Sequence, residues 1–172
     1  MDISALINDK TLKPKEKTEQ LGQWILDSVI SVPTLVKFAD GSKESVKATC
    51  MEALEHATKV RPGIANASLL DFAVKSLRDK APRVKWESAR VIGNIAYLFP
   101  GNLEESVKNL LENAEYKGTV VRWSAAYALG EIVKLKTVLN CDLIPAINAI
   151  IDQEEKNSIK KILIAAVKAA VK

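Results

Sequence analysis

Hydrophobic residues recur along this chain at intervals of three and four positions, and no stretch alternates between hydrophobic and polar residues. Intervals of three and four are typical of an amphipathic helix, whereas strands alternate with a period of two. The pattern therefore predicts helices throughout and no strand. They form pairs, a shorter amphipathic helix followed by a longer one. The shorter helices are predicted at 32–40, 66–80, 103–115 and 142–152, after a divergent first pair at 3–8 and 15–30.

Residues that favour helix ends support these boundaries. Pro33 and Pro145 both fall in predicted first turns, where the N–H that proline lacks would have no helical acceptor. Asn102 has Glu105 three positions after it, which is the spacing of a capping pair. Thr119 follows a glycine and is predicted to cap the next long helix.

The longer helices repeat one another in sequence. Residues 84–95 align with 121–132 at an offset of 37, and their basic, Trp, Ala, Gly and aliphatic positions coincide. At an offset of 38, residues 46–54 and 159–167 keep the apolar spacing and the basic second position but lack the Trp and Gly. Repetition at this period is the signature of a solenoid built from stacked helical pairs. We predict one domain, 1–172, with repeats at approximately 1–31, 32–62, 63–100, 101–138 and 139–172.

The repeated segment resembles a known family. Residues 82–93 read P-R-V-K-W-E-S-A-R-V-I-G, which is similar to the HEAT-repeat consensus, roughly P-x-V-R-x-x-A-A-x-A-L-G. Residues 121–130 are closer still, although Thr119 replaces the proline. The resemblance implies an all-α, right-handed alpha-alpha superhelix, an armadillo-like solenoid whose second helices line the concave side. Each repeat in such a stack buries its apolar face only against its neighbours.

The long helices are predicted to carry aromatic and basic side chains on the face opposite the core. Because a helix turns by about 100° per residue, Trp86, Arg90, Gly93 and Tyr97 share one face, as do Trp123, Tyr127, Gly130 and Lys134 in the next repeat. Only nine aromatic residues occur in the chain, and four of them lie here. Large rings beside cations are common in binding hot spots. The predicted partner-binding residues are Trp86, Arg90, Tyr97, Trp123, Tyr127, Lys134 and Lys161.

Three interpretations of this face remain open. A protein or peptide segment would anchor an apolar side chain between Trp86 and Trp123, with an acidic group on Arg90 or Lys161. A nucleic acid would stack bases on the indoles and place phosphates on the cations. Alternatively, both rings only cover Ala and Gly surfaces of neighbouring helices. A family of alkylpurine DNA glycosylases also uses HEAT-like repeats, but it needs an Asp among the concave residues, and none is present here. We predict a non-enzymatic scaffold or adaptor, with nucleic-acid binding as the alternative.

Other candidate chemistry is sparse. The single histidine, His56, and two distant cysteines do not have the spacing of a metal site, and we expect neither metal nor cofactor. Cys50 falls on an apolar helix face and is predicted to be a reduced core thiol. The recurring basic second position is interpreted as a structural ladder between repeats, formed by Lys47, Lys85, Arg122 and Lys160.

Charge and hydropathy bear on location and assembly. The net charge of +4, from 25 basic and 21 acidic residues, is far below that of a polybasic protein. No apolar run reaches the length of a signal peptide core or of a membrane span, so a cytoplasmic location and no membrane partner are expected. In the last helix, Ile162 and Ala169 replace polar residues of earlier repeats, which suggests either a homo-oligomer through the C-terminal repeat or a tail that folds over it.

Overall fold

The computed structural model describes all residues, 1–172, and confirms the all-α prediction. No strand is present, and two short 3₁₀ turns, Pro62–Ile64 and Ala96–Leu98, accompany the α-helices. The ten α-helices are α1 Ile3–Asn8, α2 Pro14–Leu26, α3 Val32–Asp40, α4 Glu44–Val60, α5 Ala67–Ser76, α6 Pro82–Ile95, α7 Glu104–Ala114, α8 Thr119–Val133, α9 Asn140–Gln153 and α10 Asn157–Ala170.

The helices form five consecutive pairs that stack in sequence order. The second helices of the pairs, α2, α4, α6, α8 and α10, pack closely against one another, and the first helices touch one another much less. When two layers differ in this way, the closely spaced layer lies on the inside of the curve. We therefore call the exposed face of the second helices the concave surface and that of the first helices the convex surface.

One hydrophobic core runs through the whole stack. It extends from Ile3 to Ala166 and includes buried residues of each α-helix. Ala89 and Ala96 are almost fully buried, which confirms that small residues on this flank of α6 allow a neighbouring helix to approach. The stack is therefore a continuous solenoid.

Several predicted helix ends are wrong. α7 begins at Glu104 behind Leu103, and no side chain caps it, so Asn102 and Glu105 do not form the predicted capping pair. Leu103 is fully buried, and its burial in the core, rather than a cap, fixes the entry of the chain into this helix. Thr119 is the first residue of α8 and not its cap. Pro145 lies in the interior of α9, since that helix begins two residues before the predicted start.

The predicted ladder between repeats is present. Its bonds run from the recurring basic residue in the first turn of α4, α6 and α8 to a residue near the C-terminal end of the first helix in the next pair. They join Lys47 to Asp79 at 2.8 Å, Lys85 to Asn113 at 3.0 Å and Arg122 to Glu154 at 2.8 Å. Lys47, Lys85 and Arg122 are therefore structural, as predicted, whereas Lys160 in the last repeat has no next repeat to bind and makes no such bond.

The two cysteines are free thiols in different environments. Cys50 is buried in the core, and burial raises the pKa of its thiol to about 12. Such a thiol is protonated at neutral pH and unreactive, which confirms the predicted core role. Cys141 is exposed. None of the helices combines the length and hydrophobicity required to span a bilayer.

Candidate binding surface on the second helices

The predicted partner-binding residues all lie on or directly after second helices. Trp86 and Arg90 are on α6, and Tyr97 lies in the 3₁₀ turn that follows it. The exposed fraction of Tyr97 is 54% and that of Trp123 is 38%, while Trp86 and Arg90 are half-buried. Lys134 and Lys161 are exposed. None of the predicted residues is sealed in the core.

Trp123 and Tyr127 form a rigid pair of stacked rings. Their ring centroids are 6.1 Å apart and the planes differ by 8°. The Tyr127 ring lies directly on the backbone of Gly93 in α6. Its hydroxyl donates a 2.8 Å hydrogen bond to the side-chain oxygen of Asn94. Because Tyr127 is fixed from two sides, it supports Trp123 in one orientation. We call Trp123 and Tyr127 the aromatic plate.

Each second helix is partly covered by the next one, which the helical-wheel prediction did not include. Gly93 and Gly130 were predicted to face outward, but both are buried. Tyr127 covers Gly93, while Ala166 and Ile162 cover Gly130. The predicted outward face of α6 and α8 is therefore exposed only in part.

The same contact corrects one prediction about the last helix. Ile162 was placed on an outer edge of the C-terminal repeat, available to a second chain. The structure places its side chain against Gly130 of the preceding repeat. Ile162 is thus an inter-repeat contact, and the argument for a homo-oligomer loses this residue.

Arg90 is held between two buried carboxylates. Its guanidinium lies 2.7 Å from a carboxylate oxygen of Glu55 and 3.3 Å from one of Glu87. Only 6% of Glu55 and 4% of Glu87 is exposed. The indole N–H of Trp86 donates a 2.8 Å bond to the other Glu87 oxygen. Arg90 is therefore neutralised by Glu55 and Glu87. It is not free to bind an acidic group of a ligand in the way that the sequence analysis predicted.

The environment of Glu87 changes its acidity. Burial raises the pKa of its carboxyl group, and the nearby carboxylates Glu52 and Glu55 act in the same direction. The bonds from Trp86 and Arg90 oppose this rise without cancelling it. The pKa of Glu87 therefore lies above its ordinary value, because its buried site favours the neutral form of the carboxyl group.

Sequence analysis missed the structural roles of Glu55, Glu87 and Asn94. Asn94 donates 3.2 Å bonds to the Glu55 carbonyl and to the Thr58 hydroxyl of α4. All three lie at positions covered by an adjacent second helix. The sequence signal that was available is a polar residue on the side of a second helix that also carries alanines, where the adjacent second helix can pack closely.

Charges on the rest of the concave surface are mostly paired. Glu52 binds Arg83 and accepts a bond from Thr18, and Lys134 binds Glu131. On the concave face of α4, α6 and α8, Arg83, Arg90 and Lys134 are each paired with a carboxylate, and Lys59 at the end of α4 has no such pair. Lys161 on α10 has no ion-pair or hydrogen-bond partner. The predicted basic end of the surface thus begins only at α10.

This arrangement is suited to holding a ligand. No group of three His, Cys, Asp or Glu side chains is placed to hold a metal ion. The concave surface offers the exposed Trp123 indole, which is held by stacking on Tyr127. Paired charges lie on one side of it, and the unpaired Lys161 lies on the other.

Comparisons with known proteins address the fold. A family model described as HEAT repeats matches residues 32–130, more than half of the chain. No curated protein matches the sequence.

Solved structures with this fold share little sequence with the chain. A designed armadillo repeat protein in complex with the peptide (KR)4 is 19% identical, with a TM-score of 0.70 over 98% of this chain and 80% of that one. The complex of CpcE and CpcF of phycocyanin lyase from Nostoc sp. PCC7120 is 18% identical, with a TM-score of 0.70 over 96% and 95%. An engineered protein is 18% identical, with a TM-score of 0.74 over 99% and 47%. At these identities the similarity establishes a helical-repeat solenoid and nothing more specific.

Proposed function

Because this chain belongs to the HEAT-repeat family, we propose that it is a non-enzymatic scaffold that binds a segment of a partner protein on its concave surface. We propose the cytoplasm as its location, as the sequence predicts. The seven predicted residues are the starting set for this surface, with Arg90 assigned to internal support.

The exposed Trp123 indole is the observation that carries the proposal. An indole that is 38% exposed and stacked on a second ring offers a large amphipathic area. Tyr127 fixes its orientation, so little side-chain entropy remains to be lost on binding. Trp and Tyr are enriched among the residues that dominate binding energy. We therefore assign the anchor of the ligand, an apolar side chain, to the aromatic plate.

Charge favours a polypeptide over a nucleic acid as the ligand. On α4, α6 and α8 the cations Arg83, Arg90 and Lys134 are already paired with carboxylates, which leaves few cations for a phosphate backbone, whose binding depends on many free Lys and Arg side chains. The designed armadillo protein with bound (KR)4 shows that a solenoid of this fold can hold a peptide. This supports the class of ligand, not its sequence. Lys161, unpaired on the neighbouring α10, would bind an acidic group of the same segment.

The test compares peptide binding by the wild type and by Trp123→Ala. Peptides selected against the wild-type protein from a random display library are labelled, and their Kd values are measured by fluorescence anisotropy. We expect Trp123→Ala to weaken binding about tenfold or more, as loss of a hot-spot residue does. Its free energy of unfolding should change by less than about 1 kcal/mol, since the ring covers little of the core.

Val138→Ala is the matched control, because Val138 is the most exposed large apolar residue of the chain but lies in the α8–α9 loop. It should leave the Kd unchanged. Equal affinity of the peptides for wild type and Trp123→Ala would contradict the proposal. So would saturable binding of a DNA duplex with a steep salt dependence, which would instead favour a nucleic-acid function.

A further inference from the structure

A groove opens on the convex surface between α7 and α9. It contains two cavities, one of about 700 Å³ at the C-terminal ends of the two helices and one of about 430 Å³ nearer their N-terminal ends. Leu111 lines both cavities, so the two form one continuous groove parallel to the helices. This groove lies in the first-helix layer and is separate from the concave surface.

The groove has a cause in the sequence. Between α5 and α7, the amides of Asn109 and Asn113 donate bonds to the carbonyls of Val74 and Leu77, which tie the two helices together. One repeat later, at the offset of 37, these asparagines become Ala146 and Ile150. Neither can donate such a bond, and no side-chain hydrogen bond joins α7 to α9. The Ala146 and Ile150 side chains instead line the larger cavity.

The floor of the groove is apolar. Half-buried Val107 and Leu111 of α7 face Leu143 and Ala146 of α9 across it. Along α7 the centres of the two cavities, near Lys108 and Ala114, are about six residues apart, or roughly 9 Å at 1.5 Å per residue. Apolar side chains two turns apart on a helix have nearly this spacing, so one amphipathic helix could fill both cavities.

The rim of the groove is acidic. Its unpaired carboxylates are Glu104, Glu112, Glu115, Asp142 and Glu155, and its unpaired cations are only Lys108 and Lys117. Arg122 and Glu154, which also line it, neutralise each other in the ladder. The rim is negatively charged, although the net charge of the whole chain is +4. A ligand with basic flanks would match it.

We propose that the groove between α7 and α9 is a docking site for a basic amphipathic helix of a partner protein. Two apolar side chains, two turns apart, would enter the two cavities, and Lys or Arg residues beside them would meet the acidic rim. The proposal does not depend on a ligand on the concave surface, and the two sites could be occupied together.

The test uses a designed probe peptide of about 18 residues, long enough to form several turns. It is composed of Leu, Ala and Lys, with Leu at helical spacing on one face, and its control replaces every Lys with Glu. Binding of each labelled peptide to the full chain is measured by fluorescence anisotropy. We expect saturable one-to-one binding of the basic peptide and at least tenfold weaker binding of the acidic one.

Variants assign the binding to the groove. Ala149→Arg places a bulky cation at an exposed position of the larger cavity and should weaken binding tenfold or more. Glu104→Lys on the rim should weaken it about threefold, because it reverses a charge at the edge of the site. The adjacent Glu105→Lys is the matched control, since Glu105 is equally placed in the first turn of α7 but lines neither cavity. It should change the Kd less than twofold.

Several results would overturn the proposal. Equal binding of the acidic peptide, or no effect of Ala149→Arg, would show that the groove does not select a basic helix. Loss of binding in Trp123→Ala would move the site to the concave surface. If sedimentation velocity showed self-association that Ala149→Arg abolished, the occupant would be a second copy of this chain, not a partner helix.

Discussion

At Gly93 the Tyr127 ring of α8 lies against the backbone of α6, and a single methyl group would change that contact. A Cβ at this position would overlap the Tyr127 ring, with Cδ1 only 2.8 Å away. To avoid the overlap the ring must move, and its hydrogen bond to Asn94 would then be lost. The aromatic plate therefore depends on the absence of a side chain at one residue of the neighbouring helix.

We predict that Gly93→Ala lowers the free energy of unfolding by about 1–3 kcal/mol, as overpacking in a core does. Alanine favours helix over glycine by roughly 1 kcal/mol, and this gain should not offset the overlap. Gly130→Ala is the matched control in the next repeat. There the nearest atom to a new Cβ is Ala166 Cβ at 3.2 Å, so we expect a change near zero. Urea unfolding measures both, and equal effects of the two changes would refute the role given to Tyr127.

Single side chains also explain which part of the site was predictable. Trp123 was found because the direction of a side chain on one helix follows from its position in the sequence. Glu55 and Glu87 were not recognised as buried partners of Arg90, because their burial is caused by the adjacent helix. A helical wheel describes one helix alone. It therefore identifies large exposed groups better than groups whose environment two helices create.

At the scale of the elements, the ladder ties α4, α6 and α8 each to the C-terminal end of the first helix in the next pair. Arg122 is the clearest case, since it binds both oxygens of Glu154 and also donates to the carbonyls of Tyr116 and Lys117. The bond from Arg122 lowers the pKa of the Glu154 carboxyl group. A carboxyl group whose pKa is lower in the folded protein stabilises the fold at pH values above its unfolded-state pKa. This stabilisation is lost as the pH falls through the folded-state pKa.

We predict that Glu154→Gln lowers the free energy of unfolding at pH 7 by about 1–3 kcal/mol, because it removes a charged hydrogen-bond partner. Below the ordinary carboxyl value of 4.5, the variant should lose stability less steeply than the wild type, since it has no Glu154 to protonate. Urea unfolding from pH 7 to pH 3 tests this.

Glu87→Gln provides a control of opposite sign. Burial raises the pKa of Glu87, so its contribution is present at low pH and lost as pH rises through the folded value. Removing it should make the decline of stability on acidification steeper than in the wild type. If both variants changed the loss of stability between pH 7 and pH 3 in the same direction, the roles given to these two carboxylates would be wrong.

The existence of the helices was predictable, but their ends were less so. Period and repeat spacing are local properties, and they located every helical pair. α7 begins where Leu103 enters the core, and α9 begins ahead of Pro145 at Asn140. Neither start has a side-chain cap, so no capping pattern in the sequence marks it.

For the whole molecule, cohesion is greatest in the middle of the stack and weakest at its C-terminal end. α8 buries nine of its 15 residues, whereas α9 buries two of 14 and α10 three of 14. Among the second helices, α6 and α8 each have a neighbour on both sides, while α10 has only α8. In a stack whose stability is the sum of neighbour contacts, the repeat with the least buried surface opens first.

We therefore predict that native-state hydrogen exchange gives the highest opening free energies for amides of α6 and α8. Amides of α9 and α10 should exchange through a local opening whose free energy is lower than that of global unfolding. A basic helix bound between α7 and α9 would join the fourth pair to the fifth, so the probe peptide should slow exchange in α9 and α10 more than in α2. If the amides of α10 exchanged only through global unfolding, the predicted decrease in stability towards the C-terminal end would be wrong. Equal slowing of α2 by the peptide would mean that it binds somewhere other than the groove.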